Sequence, residues 1–207
     1  MRSHKILGQL EGGDRRSVGR ADEVAALVSR NPKLFPRLFA GLWSDDPLVR
    51  MRATDAAEKV TRTAPQLLQP YKAELLGLLA ESALGEPEFV ESDQQPVQKR
   101  VRRSSKQVVQ QPIQQEVRWH LAVMVPRLKL IPAEAQRVAS ELAVYLDDRS
   151  SIVKTFALQG LWELAQQHPS VRPLVLELLE RAARSGTPAM RARSRKLLAH
   201  LARTGQC

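Results

Sequence analysis

Asp45-Asp46-Pro47-Leu48-Val49-Arg50-Met51-Arg52-Ala53-Thr54-Asp55-Ala56-Ala57-Glu58-Lys59-Val60 is the stretch that decides the fold. Two acids and a proline open it. Asp accepts hydrogen bonds from the free N–H groups of a helix start, and proline lacks an N–H that would go unused there. Val49, Ala53, Ala56 and Val60 follow at i, i+4, i+7 and i+11, which aligns them as one buried stripe on a helix. Arg50 comes directly after the first stripe position.

Working outward, the same pattern returns three times. Val117/Leu121/Met124/Leu128, Val153/Ala157/Gly160/Leu164 and Met190/Ser194/Leu197/Leu201 keep the spacing, with Arg118, Lys154 and Arg191 in the place of Arg50. The starts lie 68, 36 and 37 residues apart. Two of these intervals define a period in the range of helical repeats, and the first holds one period plus a surplus. Another apolar-periodic stretch precedes each patterned helix: Lys33–Trp43, Pro65–Ser82, Ala133–Leu146 and Pro169–Ala183. Asp45-Asp46-Pro47, Asp147-Asp148-Arg149-Ser150 and Ser185-Gly186-Thr187-Pro188 mark turns between partners, and a short helix is expected over Ala21–Arg30. No sustained β-alternation occurs outside the surplus. The expectation is an all-α chain.

Asp45 through Ala53, followed by Ala56-Ala57, resembles the second-helix signature of HEAT repeats, and Asp147-Asp148 with Val153-Lys154 repeats it. The turn acid is missing before Val117, and Gly186-Thr187-Pro188 replaces it before Met190. The resemblance covers most of 30–203. It implies a right-handed α-solenoid of about four HEAT-like helix pairs plus a short N-terminal helix, with the second helices lining a concave surface. The expected organisation is a flexible N-terminal segment at 1–20, a HEAT-like repeat domain at 21–203 with an inserted mobile loop at 84–114, and a tail at 204–207. In HEAT-like proteins the recurring bases commonly form a ladder between repeats with the turn acids, and Arg50, Arg118, Lys154 and Arg191 are expected to do so. The fold hosts scaffolds, adaptors, transport receptors and a few enzymes, so it leaves function open.

The surplus is rich in Gln, Val and charge. Gln94-Gln95-Pro96-Val97-Gln98-Lys99-Arg100-Val101-Arg102 matches Gln110 through Arg118 at six of nine positions, the mark of a local duplication. The copy lacks the apolar stripe and cannot bury a face, hence the expected mobile basic loop. Lys99, Arg100, Arg102 and Arg103 in it could touch an acidic partner or phosphates.

The 207 residues carry a formal charge of +10, distributed unevenly. Residues 45–149 hold 15 bases and 15 acids, whereas 1–44 hold eight against four and 150–207 nine against three. Basic ends point to solubilising faces or to an acidic partner or nucleic acid. One Cys, the last residue, excludes an internal disulfide framework and a thiolate metal cage. His4, His120, His168 and His200 show no metal-ligand spacing, and no phosphate-binding glycine loop or nucleophile elbow is present. No apolar h-region opens the chain, and no apolar run reaches the ~20 residues of a membrane helix. A soluble, cytoplasmic protein with no cofactor and no membrane contact is expected.

On the second helices, at about 100° per residue, Trp119, Val123, Gln159 and Trp162 fall about 180–240° from their stripes. Arg62, Lys196 and Arg203 continue that strip at its two ends. Trp119, Val123 and Trp162 are therefore candidate apolar anchors for a partner, with Gln159, Arg62, Lys196 and Arg203 around them. Arg191, Arg193 and Arg195 add a basic margin on the last helix. The leading expectation is a non-enzymatic scaffold that binds a protein partner, with nucleic acid as the alternative. Some small basic DNA glycosylases are built from HEAT-like repeats and use aromatic residues with an acid on the concave face. That resemblance implies the roles for Trp119, Trp162 and Asp55, and no motif beyond architecture supports it. Asp55 and Glu58 otherwise read as solvated or paired with Lys59 and Arg62.

Overall fold

The computed structural model describes residues 5–12, 19–83 and 115–204. The chain is all-α, with no strand among the described residues. In order come α1 (Lys5–Gly8), α2 (Ala21–Arg30), α3 (Phe35–Ala40), α4 (Pro47–Thr61), α5 (Lys72–Ala83), α6 (Gln115–Met124), α7 (Pro132–Val144), α8 (Ser151–Gln167), α9 (Arg172–Ser185) and α10 (Pro188–Thr204). Short 3-10 turns at Pro32–Leu34, Pro65–Tyr71 and Pro169–Val171 lead into α3, α5 and α9. Each begins at a proline, whose fixed φ and missing N–H suit the first helical position.

The sequence stripes form the core. Val49, Ala53, Ala56 and Val60 are buried, as are Val117, Leu121, Met124 and Leu128, and Val153, Ala157, Gly160 and Leu164. Met190, Ser194 and Leu197 complete the pattern on α10. Side chains close the turns where expected: Asp46 Oδ1 accepts the Leu48 N–H at 2.8 Å, and Thr187 Oγ1 accepts the Met190 N–H at 3.3 Å. The helices pack in series. α2 lies on α4, α4 on α6, α6 on α8 and α8 on α10, while α3, α5, α7 and α9 pack against α4, α6, α8 and α10. At the α6–α8 crossing the backbones approach closely, because a Cβ on Gly160 would fall 1.9 Å from the Ala122 carbonyl oxygen.

The structure departs from the sequence reading in several places. α6 ends at Met124, short of the expected Leu128, because Pro126 supplies no N–H and the last turn tightens into a 3-10 turn at Val125–Arg127. Within 1–20, expected to be flexible, α1 forms and Ile6 and Leu10 are buried. Arg52, 2% exposed, donates to the Leu10 and Gly12 carbonyls at 2.8 and 2.6 Å and ties this segment to α4. Gly19 has φ +54°, and a side chain there would collide with the Arg52 guanidinium. Of the ladder bases, Arg118 does reach the next turn's acid, with Nε 2.9 Å from Asp148 Oδ2. Arg50 and Arg191 donate to carbonyls of their own turns, Ser44 and Gly186, at 2.5 and 2.7 Å. The expected loop at 84–114, with Lys99, Arg100, Arg102 and Arg103, lies outside the described residues, as do residues 205–207. Among the described residues, no helix is long and apolar enough to cross a membrane.

Candidate functional site

Along the α4–α6–α8–α10 layer, polar side chains link one helix to the next. On α4, Glu58 is 2% exposed and receives two arginines. Arg62 donates to both of its oxygens at 2.9 and 2.6 Å, and Arg127, from the 3-10 turn after α6, donates to Oε1 at 2.5 Å. Arg127 also donates to the Glu58 carbonyl at 2.9 Å and to Thr61 Oγ1 at 3.1 Å. One guanidinium thus closes the end of α4 from the turn after α6. Burial pushes the Glu58 carboxyl up, but the hydrogen bonds from Arg62 and Arg127 overcome this and hold it below its ordinary value.

One turn earlier, Asp55 accepts from Lys59 Nζ at 2.7 Å and from His120 Nε2 at 3.3 Å, so each carboxylate oxygen has a donor. Lys59 also reaches Asp22 on α2, at 2.5 Å. Burial again raises the carboxyl, and the His120 and Lys59 bonds bring it below the usual range. Asp55 and Glu58 are therefore paired with Lys59 and Arg62, as the sequence suggested, but buried rather than solvated. α4 is flanked by α2 on one side and α6 on the other, which covers positions that an isolated helix would expose.

Next to these networks lies a groove of about 460 Å³ between α4, α6, α8 and α10. Glu58, Arg62 and Arg127 form one wall, Gln159, Glu163 and Arg193 the other, and Val123 and Phe156 the apolar part. Gln159 bridges the second wall: its Nε2 donates to Glu163 Oε1 at 2.8 Å, and its Oε1 accepts from Arg193 at 3.1 Å. The Arg193 guanidinium also sits over the Phe156 ring, 6.0 Å from its centroid. No cation pairs directly with Glu163 among the described residues. Burial raises its carboxyl, and the Gln159 hydrogen bond only partly offsets this.

The anchor residues are less exposed than the helix geometry suggested. Val123 is 4% exposed and belongs to the groove lining, because α4 and α8 enclose α6 from both sides. Trp119 is half-buried, stacked on His120 and 4.8 Å from Phe156. Trp162 is half-buried too, edge-on to His200 at 5.3 Å, and its indole N–H is buried without an acceptor. Arg62, Arg195, Lys196 and Arg203 are exposed, and Arg191 and Arg193 are half-buried. The structure brings Val123, Gln159, Arg62 and Arg193 to one groove and leaves Lys196 and Arg203 outside its lining.

Phe156, Glu163 and Arg127 were not singled out from the sequence. Phe156 lies off the buried stripe with no pattern to mark it. Arg127 follows Pro126, and the change to 3-10 geometry there defeats a count at a uniform angle per residue. Among the described residues, no group of three His, Cys, Asp or Glu side chains is placed to hold a metal ion. No family model matches the sequence, and neither a curated protein nor a solved structure is significantly similar to it.

Proposed function

We propose that the chain is a non-enzymatic scaffold of the HEAT-like solenoid type, which binds a protein partner along the face of its second helices. The serial packing of α2, α4, α6, α8 and α10 on buried stripes supports the architectural part. The observation that carries the functional part is the groove itself. It joins the Phe156 ring to a wall of alternating charge held in place by Gln159 and by the Glu58 arginine clamp. Fixed side chains of both signs beside an apolar surface suit a peptide, which offers all three kinds of group. Glu58 and Glu163 repel phosphates, and two of the three groove arginines are already spent on Glu58. Asp55 has both oxygens engaged, which weighs against a role as a free catalytic acid.

The test is capture from the native host with the wild-type chain, Arg193→Glu, and Arg37→Glu on the exposed side of α3. A partner lost only with Arg193→Glu, at unchanged thermal midpoint, supports the reading. Equal capture by all three refutes it. The exposed bases Arg195, Lys196 and Arg203 on α10 favour a second reading, nucleic-acid binding. Anisotropy with random duplex and single-stranded DNA separates the two, since affinity of about 10⁻⁴–10⁻⁶ M that falls steeply with salt marks phosphate binding.

A further inference from the structure

The Arg118–Asp148 pair has a counterpart one repeat later in which the acid is missing. Arg118 follows Val117, the first stripe residue of α6, and Asp148 stands five residues before Val153, the first stripe residue of α8. In the same register Lys154 follows Val153, and the residue five before Met190 is Ser185. The base is retained and the acid is not. Asp148 has two duties: it pairs with Arg118, whose Nε lies 2.9 Å from Oδ2 and whose Nη2 donates to Oδ1 at 3.4 Å, and its Oδ1 accepts the Ser150 N–H at 2.7 Å. Before α10, Thr187 serves the helix start through the Met190 N–H, while the Ser185 hydroxyl donates back to the Arg181 carbonyl at 3.0 Å. Nothing in this turn takes the place of the Asp148 carboxylate.

A cavity of about 340 Å³ opens at this place. Lys154, Arg181 and Ser185 line it, with Leu146 and Leu178 as apolar wall and Asp147 as its acidic residue. Neither Lys154 nor Arg181 forms an ion pair with Asp147 or with any other acid among the described residues. Two cations beside one cavity repel each other unless an anion is added to the site.

We propose that this cavity is a carboxylate-binding subsite, entered by an Asp or Glu side chain of the partner protein. That carboxylate gives Lys154 what Asp148 gives Arg118, with Arg181 as the second donor. Leu146 and Leu178 contact the methylene stem. A side-chain carboxylate matches the charge of the lining, since Lys154, Arg181 and Asp147 together leave a net positive charge that one monoanion neutralises. The proposal rests on the reading of the chain as a protein-binding scaffold, and its test is independent of the Arg193 groove.

The probe is acetyl-Glu-Glu-Glu-amide, titrated into the full-length chain at about 0.15 M salt, where long-range attraction to the basic surface is screened. Amide ¹H–¹⁵N correlations report the site. Saturable shifts are expected at Lys154 and across 185–190. Lys154→Ala weakens binding about tenfold, the loss of one charge-assisted hydrogen bond. Ser185→Asp, which places the missing acid within the chain, abolishes the response, and Lys33→Ala, at an exposed base ahead of α3, leaves it unchanged. Equal weakening by Lys154→Ala and Lys33→Ala overturns the proposal, as does undiminished binding to Ser185→Asp. Tighter binding of inorganic phosphate at the same amides also overturns it. Loss of the peptide response with intact Arg193-dependent capture removes the subsite and leaves the scaffold reading standing.

Discussion

Replacing Gly160 with alanine tests the close approach of α6 and α8. Alanine is the better helix former, so at an interior helical glycine without neighbours the change stabilises by about 0.5–1 kcal/mol. At Gly160 the new Cβ meets the Ala122 carbonyl oxygen at 1.9 Å and its carbon at 3.0 Å, with Leu142 Cδ1 at 3.4 Å behind. Real Cβ contacts essentially never fall below 3.0 Å, so the two backbones must part by about 1 Å. Backbone cannot rotate out of the way as a side chain can. Overpacking of this kind costs about 1–3 kcal/mol and occasionally more, which exceeds the propensity gain. A net loss of about 1 kcal/mol corresponds to a fall of roughly 2–4 °C in thermal midpoint for a chain of this size. Gly77 on α5, where an added Cβ meets nothing within 4 Å, is the internal control. Gly77→Ala is expected to raise the midpoint, in the same calorimetric assay, by the propensity alone. A Gly160→Ala protein as stable as the wild type would refute the crossing geometry.

Other expectations concern charge. Glu163→Gln should stabilise the chain at pH 7, because burial raises the Glu163 carboxyl and its ionised form opposes folding there. The advantage should vanish as pH falls through the raised value and wild-type Glu163 takes up its proton; urea midpoints against pH read this directly. Glu58→Gln has the opposite sign. Its carboxyl is lowered, so the wild type holds stability above the ordinary carboxylate range and loses it on acidification. The variant should be less stable by about 3–5 kcal/mol at pH 7, where it leaves a half-buried Arg127 without its charge partner, and its acid limb should be flatter. Arg52→Met removes two charge-assisted bonds to the Leu10 and Gly12 carbonyls, at a cost of about 1.5–3 kcal/mol. Limited proteolysis within the first 20 residues should accelerate with it.

The parts of the fold that depend on local pattern were legible in the sequence. The i, i+4, i+7, i+11 stripes mark the buried faces of α4, α6, α8 and α10, and the Asp, Ser and Thr turns mark the starts of α4, α8 and α10. Features that depend on neighbours were not. Asp55 and Glu58 read as solvated or paired, and Arg52 carried no reading of its own, because a single helix gives no sign that α2 and α6 close over α4. Leu10 and Ile6 pack although they sit in a polar stretch too short to show a period. The tryptophans fall away from their stripes by angle, but Phe156 packs against Trp119 and His200 against Trp162, which leaves both half-buried. In the groove, Val123 and Gln159 could be found by angle, whereas Arg127 could not, since its direction is set by the proline before it.

The clamp that Arg127 places on α4 bears on how the chain comes to be folded during synthesis. Repeat arrays can in general nucleate at one end and add units in order. Here the Glu58 carboxylate, the Glu58 carbonyl and the Thr61 hydroxyl receive donors from a residue 69 and 66 positions further along, and Asp55 receives one from His120. When the first five helices leave the ribosome, these acceptors have only local donors and water. The α4 acceptors therefore reach their full set of partners only once residues 120–127 have emerged. Truncation before α6 removes the His120 and Arg127 donors that α4 receives from across the chain.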